Sequence, residues 1–214
     1  MTRAAGIDEV GYGCIFGPIS CSAVVILDKE KLLENLPKHA VLRDSKKMTE
    51  RQLKTTHDYL TKTCTENGWI MYGIGNKSSV YIDLHGLSKS RIDAFHESLD
   101  NLSVVCPSID KILVDGNFFK SYKTIPHELI VKGDATVLEI MCASIIAKHF
   151  RDSLIYDFVD KHPEFELQEK YKIRDNVGYA TRAHLDGIAR HGPFSPFTTL
   201  EIGHRTSYSM FQNI

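Results

Sequence analysis

The chain carries 214 residues, 43% of them hydrophobic and 25% charged, with a formal net charge of −1. That length suits one domain with a substantial appendage, or two small ones, and the composition excludes disordered, collagen-like and coiled-coil classes. No stretch approaches the ~18 apolar residues of a membrane helix, and a near-neutral chain can hold nucleic acid only through a local basic patch.

A short apolar strand, Ala4 to Ile7, runs into Asp8 and Glu9 and then into turn chemistry at Gly11, Gly13, Gly17 and Pro18. Acids at that position break the apolar segment a signal peptide needs, so the expected compartment is the cytoplasm, with no membrane partner. Ile19 to Leu27, rich in valine and isoleucine, reads as a second strand. Lys31 to Leu36 suits a short helix, and Asp44-Ser45-Lys46-Lys47 a polar loop. Thr49 caps a helix to about Glu66, closed by Gly68. Trp69 to Ile74 reads as a strand and Leu87 to Leu102 as a helix. Lys111 to Val114 is a strand ending on Asp115-Gly116, and Glu128 to Val131 is another ending on Lys132-Gly133-Asp134.

Asp134 to Lys161 is the strongest helical segment, apolar nearly all round from Val137 to Ala147 and therefore a buried central helix. Lys148, Arg151 and Asp152 follow, where the helix should emerge into water. Beyond His162-Pro163 the chain turns charged and turn-rich, with one further helix from Thr181 to Arg190. Strands, then alternation, then helices alone predict an α/β fold with a helical C-terminal appendage, divided as residues 1–162 and 163–214. The five cysteines, Cys14, Cys21, Cys64, Cys106 and Cys142, are odd in number and lack CxxC spacing, which argues for reduced thiols and against structural zinc. The ten histidines show no HxH or HExxH spacing and read as surface or core residues.

The chemistry lies at the strand ends. Asp8 with Glu9, Asp115 and Asp134 all fall there, and in an open α/β sheet such ends gather around one crevice. Four gathered carboxylates would repel one another unless a cation neutralised them, and oxygen ligands without cysteine or histidine favour magnesium or manganese. Two such ions could activate a water and stabilise the leaving oxygen of a phosphodiester. Taken singly, Asp115-Gly116 reads more readily as a turn and Asp134 as a helix N-cap, so the spacing alone is a weak signal. Basic groups bracket the acids: Lys46, Lys47, Arg51 and Lys54 form one cluster, Lys148 and Arg151 another. Lys170, Lys172, Arg174 and Arg182 precede or follow Tyr179 closely. They are either solvated faces or phosphate contacts that position a duplex.

Gly6-Ile7-Asp8-Glu9-Val10-Gly11-Tyr12-Gly13, with Gly17-Pro18 behind it, resembles the opening signature of type 2 ribonucleases H, the ribonuclease HII and HIII group. The resemblance continues through Asp44-Ser45-Lys46-Lys47, Val114-Asp115-Gly116, Lys132-Gly133-Asp134-Ala135, and Ala143-Ser144-Ile145-Ile146-Ala147-Lys148 with Arg151-Asp152. It ends at Gly178-Tyr179 before Thr181 and His184-Leu185, so that matches in family order cover about residues 4 to 192. The resemblance implies a ribonuclease H-like mixed sheet flanked by helices, with a C-terminal helical part that binds substrate. It implies Asp8, Glu9, Asp115 and Asp134 as the catalytic, metal-binding set, and cleavage of the RNA strand of RNA–DNA hybrids to leave 5′-phosphate and 3′-hydroxyl ends.

Gly11, Gly13 and Tyr179 map to the family's substrate readers, and Tyr12, Lys46, Lys47 and Lys148 join them as candidate substrate contacts. Glycines let backbone approach a ribose closely enough to sense the 2′-hydroxyl, and a tyrosine offers a hydroxyl and a ring face. Tyr12 stands where the usual ribonuclease HII loop has arginine, which leaves open a ribonuclease HIII-like preference for longer RNA stretches. Against that, Asp8 lies too near the start for the extra N-terminal domain of such enzymes. An inactive hybrid-binding protein is a third reading, disfavoured because all four acids are present; a magnesium phosphatase would need a DxD motif at the first strand, where this chain has none. The expected partners are RNA–DNA hybrid and ribonucleotide-containing duplex DNA, bound by a monomer. Ser209-Met210-Phe211-Gln212 lacks the glutamine-first spacing of a sliding-clamp motif.

Overall fold

The computed structural model describes residues 3–195 and 201–208; the Ser209 to Gln212 segment weighed above lies outside them. In chain order the elements are β1 (Ala4–Val10), β2 (Ile19–Ile26), α1 (Lys29–Glu34), α2 (Glu50–Asp58), β3 (Ile70–Lys77), α3 (Ser79–His85), α4 (Leu87–Val105), β4 (Lys111–Asp115), β5 (His127–Ile130), α5 (Gly133–Thr136), α6 (Leu138–Lys161), α7 (Leu167–Tyr171), α8 (Ile173–Asn176) and α9 (Arg182–His191). The chain packs into two compact units: residues 1–10, 20–76 and 92–149 in the first, and 11–19, 77–91 and 150–214 in the second. The described residues of 163–214 lie in the second unit together with three earlier pieces of chain, 11–19, 77–91 and 150–162.

The first unit is built on a mixed five-stranded sheet of order β3-β2-β1-β4-β5, with β1 antiparallel to β2 and parallel to β4, and β4 parallel to β5. Strand β1 runs past Ile7 because Asp8 and Glu9 pair with Ser22 and Cys21 of β2. The acids therefore sit inside the ladder, not beyond it. Val24, Leu60, Ile70, Cys142, Ala143, Ile145 and Ile146 form the core beneath the sheet, which confirms the first half of α6 as a buried helix. Gly6 lets that helix come close: a Cβ there would fall inside the van der Waals shell of the Glu139 and Ile140 backbone.

Thr49 does cap α2, in a reciprocal capping box with Gln52. The helix then widens into a π-turn over Tyr59–Cys64 before Gly68, in the left-handed region at φ +69°, ends it. The single helix expected from Asp134 to Lys161 is two. Val137 adopts an extended conformation between α5 and α6, which a β-branched residue accepts readily. The second unit has its own core of Ile15, Phe16, Ile155, Phe158, Leu167, Tyr171, Ile173 and Ile188. Its α9 is capped by Thr181, whose hydroxyl accepts from the His184 amide. The helix α3, which the sequence did not mark, starts under a Ser78 cap.

Candidate active site

In the first unit, Asp8 of β1, Asp115 at the end of β4 and Asp134 of α5 converge, with one carboxylate oxygen from each lying within 4.8 Å of the others. Parallel pairing does this work: Ile7 is in register with Val114, so the next residue of each strand is an aspartate. Asp134 is delivered by the connection after β5. Lys132 takes the cap position of α5 in the left-handed region at φ +59°, and Asp134 lies in the first turn. The N-cap reading of Asp134 is thereby replaced. Its side chain faces Asp115, whose Oδ1 accepts the Asp134 amide at 3.3 Å.

The negative charge of this cluster is only partly offset. Burial raises the Asp8 carboxyl to about 8, reinforced by the charges of Glu9 and Asp115 and opposed by a hydrogen bond from Ser144. Burial and the Asp115 charge also raise Asp134, against the pull of Lys46, whose Nζ is 3.8 Å from Asp134 Oδ2. Lys47 pairs with Asp44 at 3.6 Å, so both lysines sit at the rim with Lys132 in an open cavity that Asp115 and Asp134 floor. Glu9 is half-buried and stands outside the three-carboxylate cluster, because successive strand side chains point to opposite faces. Lys148 is half-buried on α6.

Three converging carboxylates, Asp8 and Asp134 buried and Asp115 half-buried, form an oxygen donor set that fits a hard divalent cation. Ser144 and Ser45 were not marked from sequence as site residues. Their hydroxyls share a hydrogen bond of 2.9 Å, and Ser144 reaches Asp8, so a buried polar chain holds the carboxylate. Both serines lie within motifs that carry the family resemblance, and Ser144 is a polar residue inside an otherwise apolar helix.

The second unit holds the remaining candidates. In the loop 11–18 only Tyr12 and Gly13 are exposed. Gly11 has φ +90°, and a Cβ there would strike the Arg151 guanidinium. Cys14 bridges to Tyr179, which joins the loop to the segment that carries the second tyrosine. Tyr12 is 37% and Tyr179 38% exposed, and burial pushes the Tyr179 hydroxyl up to about 12. The Arg91 guanidinium lies 5.0 Å from the Tyr12 ring centroid, so a cation accompanies the loop although the loop itself carries none.

Arg151 and Asp152 overturn the expectation that α6 emerges there. Both are buried, and Arg151 donates to the carbonyls of Phe16, Pro18 and Val177. Arg151 is thus spent inside the protein and is no phosphate contact. Lys170, Arg174 and Arg182 pair with the local acids Glu166, Asp160 and Asp186, the pattern of a solvated face.

The fold has close counterparts among solved structures. Ribonuclease H2 from Pyrococcus horikoshii OT3 superposes with a TM-score of 0.69 at 22% identity, over 99% of this chain and 96% of that one. Bst-RNase HIII in complex with Mn2+ superposes with a TM-score of 0.67 at 16% identity, over 99% and 68%. A mixed five-stranded sheet with flanking helices and an acidic cluster at its parallel strand ends places the protein in the ribonuclease H-like class.

The ribonuclease HII family model matches residues 5–211, and the chain belongs to that family. It is 33% identical over 204 residues to ribonuclease HII of Cytophaga hutchinsonii, covering 95% of this chain and 88% of the relative. It is 37% identical over 189 residues to ribonuclease HII of Christiangramia forsetii, covering 88% and 84%. The protein is accordingly an enzyme, a nuclease of a metal-dependent endoribonuclease family. Among the described residues no helix is long and apolar enough to cross a membrane.

Proposed function

We propose that this protein hydrolyses the RNA strand of RNA–DNA hybrids and cuts on the 5′ side of ribonucleotides embedded in duplex DNA, leaving 5′-phosphate and 3′-hydroxyl ends. The observation that carries the proposal is the convergence of Asp8, Asp115 and Asp134 within 4.8 Å in a ribonuclease HII family chain. These three, with Glu9 as a fourth acid, would hold two Mg2+ or Mn2+ ions. When bound, the ions supply an activated water and charge stabilisation at the leaving oxygen. Ser144 keeps the Asp8 carboxylate oriented. Lys46 and Lys47 offer the phosphate backbone two flexible ammonium groups at the rim, and Lys148 is assigned a third.

Recognition of RNA falls to Gly11, Tyr12, Gly13 and Tyr179. A glycine-rich backbone can approach the 2′-hydroxyl, and Tyr179 presents a protonated hydroxyl and a ring to the sugar. Residues 163–214 belong to this substrate-binding part, and the enzyme acts as a cytoplasmic monomer. Five buried free cysteines suit a reducing compartment. Tyr12 supports one variant of this reading, a ribonuclease HIII-like preference for longer RNA.

Cleavage mapping on two labelled duplexes tests both, one with a single ribonucleotide and one with a run of four. The proposal expects both to be cut in Mg2+ or Mn2+, neither in chelator, and the run more efficiently. An intact single-ribonucleotide duplex beside a cleaved run leaves the HIII-like variant standing. Cleavage in excess chelator contradicts the metal assignment.

A further inference from the structure

Arg205 lies in the segment 201–208, C-terminal to the family motifs that end at His184-Leu185, and is fully buried. All five of its N–H donors are occupied. Nε donates to Gly17 O at 2.9 Å, Nη1 to Cys14 O at 2.7 Å and to the Tyr208 hydroxyl at 2.9 Å, and Nη2 to Gly11 O at 2.7 Å and Pro18 O at 3.0 Å. Four of these acceptors are backbone carbonyls and the fifth is a hydroxyl. Burying a cation without a contacting carboxylate is unfavourable unless the hydrogen-bond set is complete, and here it is.

The geometry has a direction. Arg205 takes the carbonyls of Gly11, Cys14, Gly17 and Pro18, and Arg151 shares Pro18 and adds Phe16. With the carbonyls drawn inward, the loop leaves Tyr12 and Gly13 exposed, and among the described residues no acid contacts the positive charge of Arg205 that the same loop surrounds. Such a field favours an anionic backbone. The segment carrying Arg205 is itself fastened: Asp83 accepts from the amides and hydroxyls of both Thr206 and Ser207, at 2.7–3.0 Å.

We propose that Arg205 is a positioning residue for substrate: it fixes the loop 11–18 so that Tyr12 and Gly13 face the ribose-phosphate backbone of an RNA strand, and Asp83 holds the strap that delivers it. This inference rests on the reading of the loop given under the proposed function. Its role is affinity and RNA-over-DNA preference, not metal binding.

The test compares wild type, Arg205→Lys and Asp83→Asn. It measures steady-state cleavage of a hybrid, Mg2+ dependence, and fluorescence-anisotropy binding to a hybrid and to the matching DNA duplex. Lysine keeps the charge but cannot occupy five acceptors. Arg205→Lys is expected to raise KM and weaken hybrid binding about tenfold or more, converting to ~1.4 kcal/mol, and to erode hybrid-over-DNA preference. The Mg2+ concentration for half-maximal rate should stay within about twofold of wild type, since that value belongs to the acids of the other unit. Asp83→Asn should give the same signature at about three- to fivefold.

A lowered melting temperature with unchanged KM and preference in both variants would overturn the inference, leaving Arg205 a purely structural residue. Should Arg205→Lys fail to fold, Asp83→Asn decides by the same criteria. Wild type that prefers hybrid but cuts nothing defeats the proposed reaction alone; variants that keep wild-type preference defeat this inference alone.

Discussion

Asp8 is a carboxylate in surroundings that oppose its charge. Burial and the neighbouring Glu9 and Asp115 carry it to about 8, and a bound cation is the natural counterweight. Asp8→Asn and Asp115→Asn each remove one oxygen donor, with an expected rate loss of about 10²–10⁴-fold. Hybrid binding should survive, because Lys46, Lys47 and the loop 11–18 are untouched; cleavage assays beside anisotropy check the split, and a near wild-type rate in either variant refutes the site. Lys46 is different in kind. It is mostly exposed beside Asp134, so Lys46→Ala should weaken binding uniformly across sequences and lower the slope of log affinity against log salt by about 1. At Tyr12 the contribution is a ring with Arg91 over it. A cation–π contact of ~0.5–1 kcal/mol makes Tyr12→Leu cost roughly 2–5-fold, expected mainly on single-ribonucleotide cutting. Equal losses on single and run substrates would deny the loop a role in that discrimination.

Among the elements, β1 against α6 is the tightest packing that bears on the acids. Gly6→Ala puts a methyl group into helix backbone, which cannot swing aside as a side chain can. Overpacking of this kind costs about 1–3 kcal/mol, and the strand must shift, taking Asp8 with it. The variant should therefore lose both melting temperature and kcat, measured by calorimetry and cleavage; a loss of stability with kcat intact would mean that β1 moves without disturbing Asp8.

A second element-level device is the pair His184 of α9 and His204. Their Nε2 atoms are 2.9 Å apart. His184 Nδ1 is 2.8 Å from Tyr179 O, and His204 Nδ1 accepts the Phe194 amide at 2.7 Å. One ring thus carries its proton on Nδ1 and the other on Nε2, both neutral, and an added proton breaks a bond. Burial lowers both, His204 to about 3, where the His184 charge contributes as well. Since the folded pKa lies below the unfolded value of ~6.5, the unfolded chain binds more protons. Stability is then full above pH ~6.5 and falls as the pH drops toward 3, by up to about 1.4 kcal/mol per pH unit and group. The melting temperature should decline between pH 7 and 5, and more steeply than in His204→Asn.

For the whole molecule, the converging acids couple metal binding to folding. Mg2+ at about a hundred times its dissociation constant should add ~2.7 kcal/mol, a rise in melting temperature of about 5–10 °C for a chain of this size. Chelated protein should lose it, and Asp115→Asn should show little of it. An equal rise in wild type and variant would place the stabilising ion elsewhere.

Much of this was legible in the residues themselves. Thr49 and Thr181 are side chains that cap helices by local hydrogen bonding, and the strands β2 and β4 follow from short runs rich in valine and isoleucine; both signals act within a few residues. The family motifs marked Asp8, Asp115 and Asp134 because acids at strand ends recur in order along the chain. Convergence itself is a tertiary fact. Only the parallel register of β1 and β4, and the break at Val137, bring the three oxygens together. Strand pleating likewise sets Glu9 apart from Asp8, although the two are adjacent. Arg151 and Arg205 make the sharpest contrast. As residues they are cations that belong in water, and nothing within several positions of either says otherwise. They are buried because backbone carbonyls distant in sequence, bent inward by the loop 11–18, satisfy every donor they carry on that side. Local chemistry determined the elements and the identity of the acids. Long-range hydrogen bonding decided which charges face solvent and which hold the protein together, because the acceptors that meet them exist only once the chain has folded.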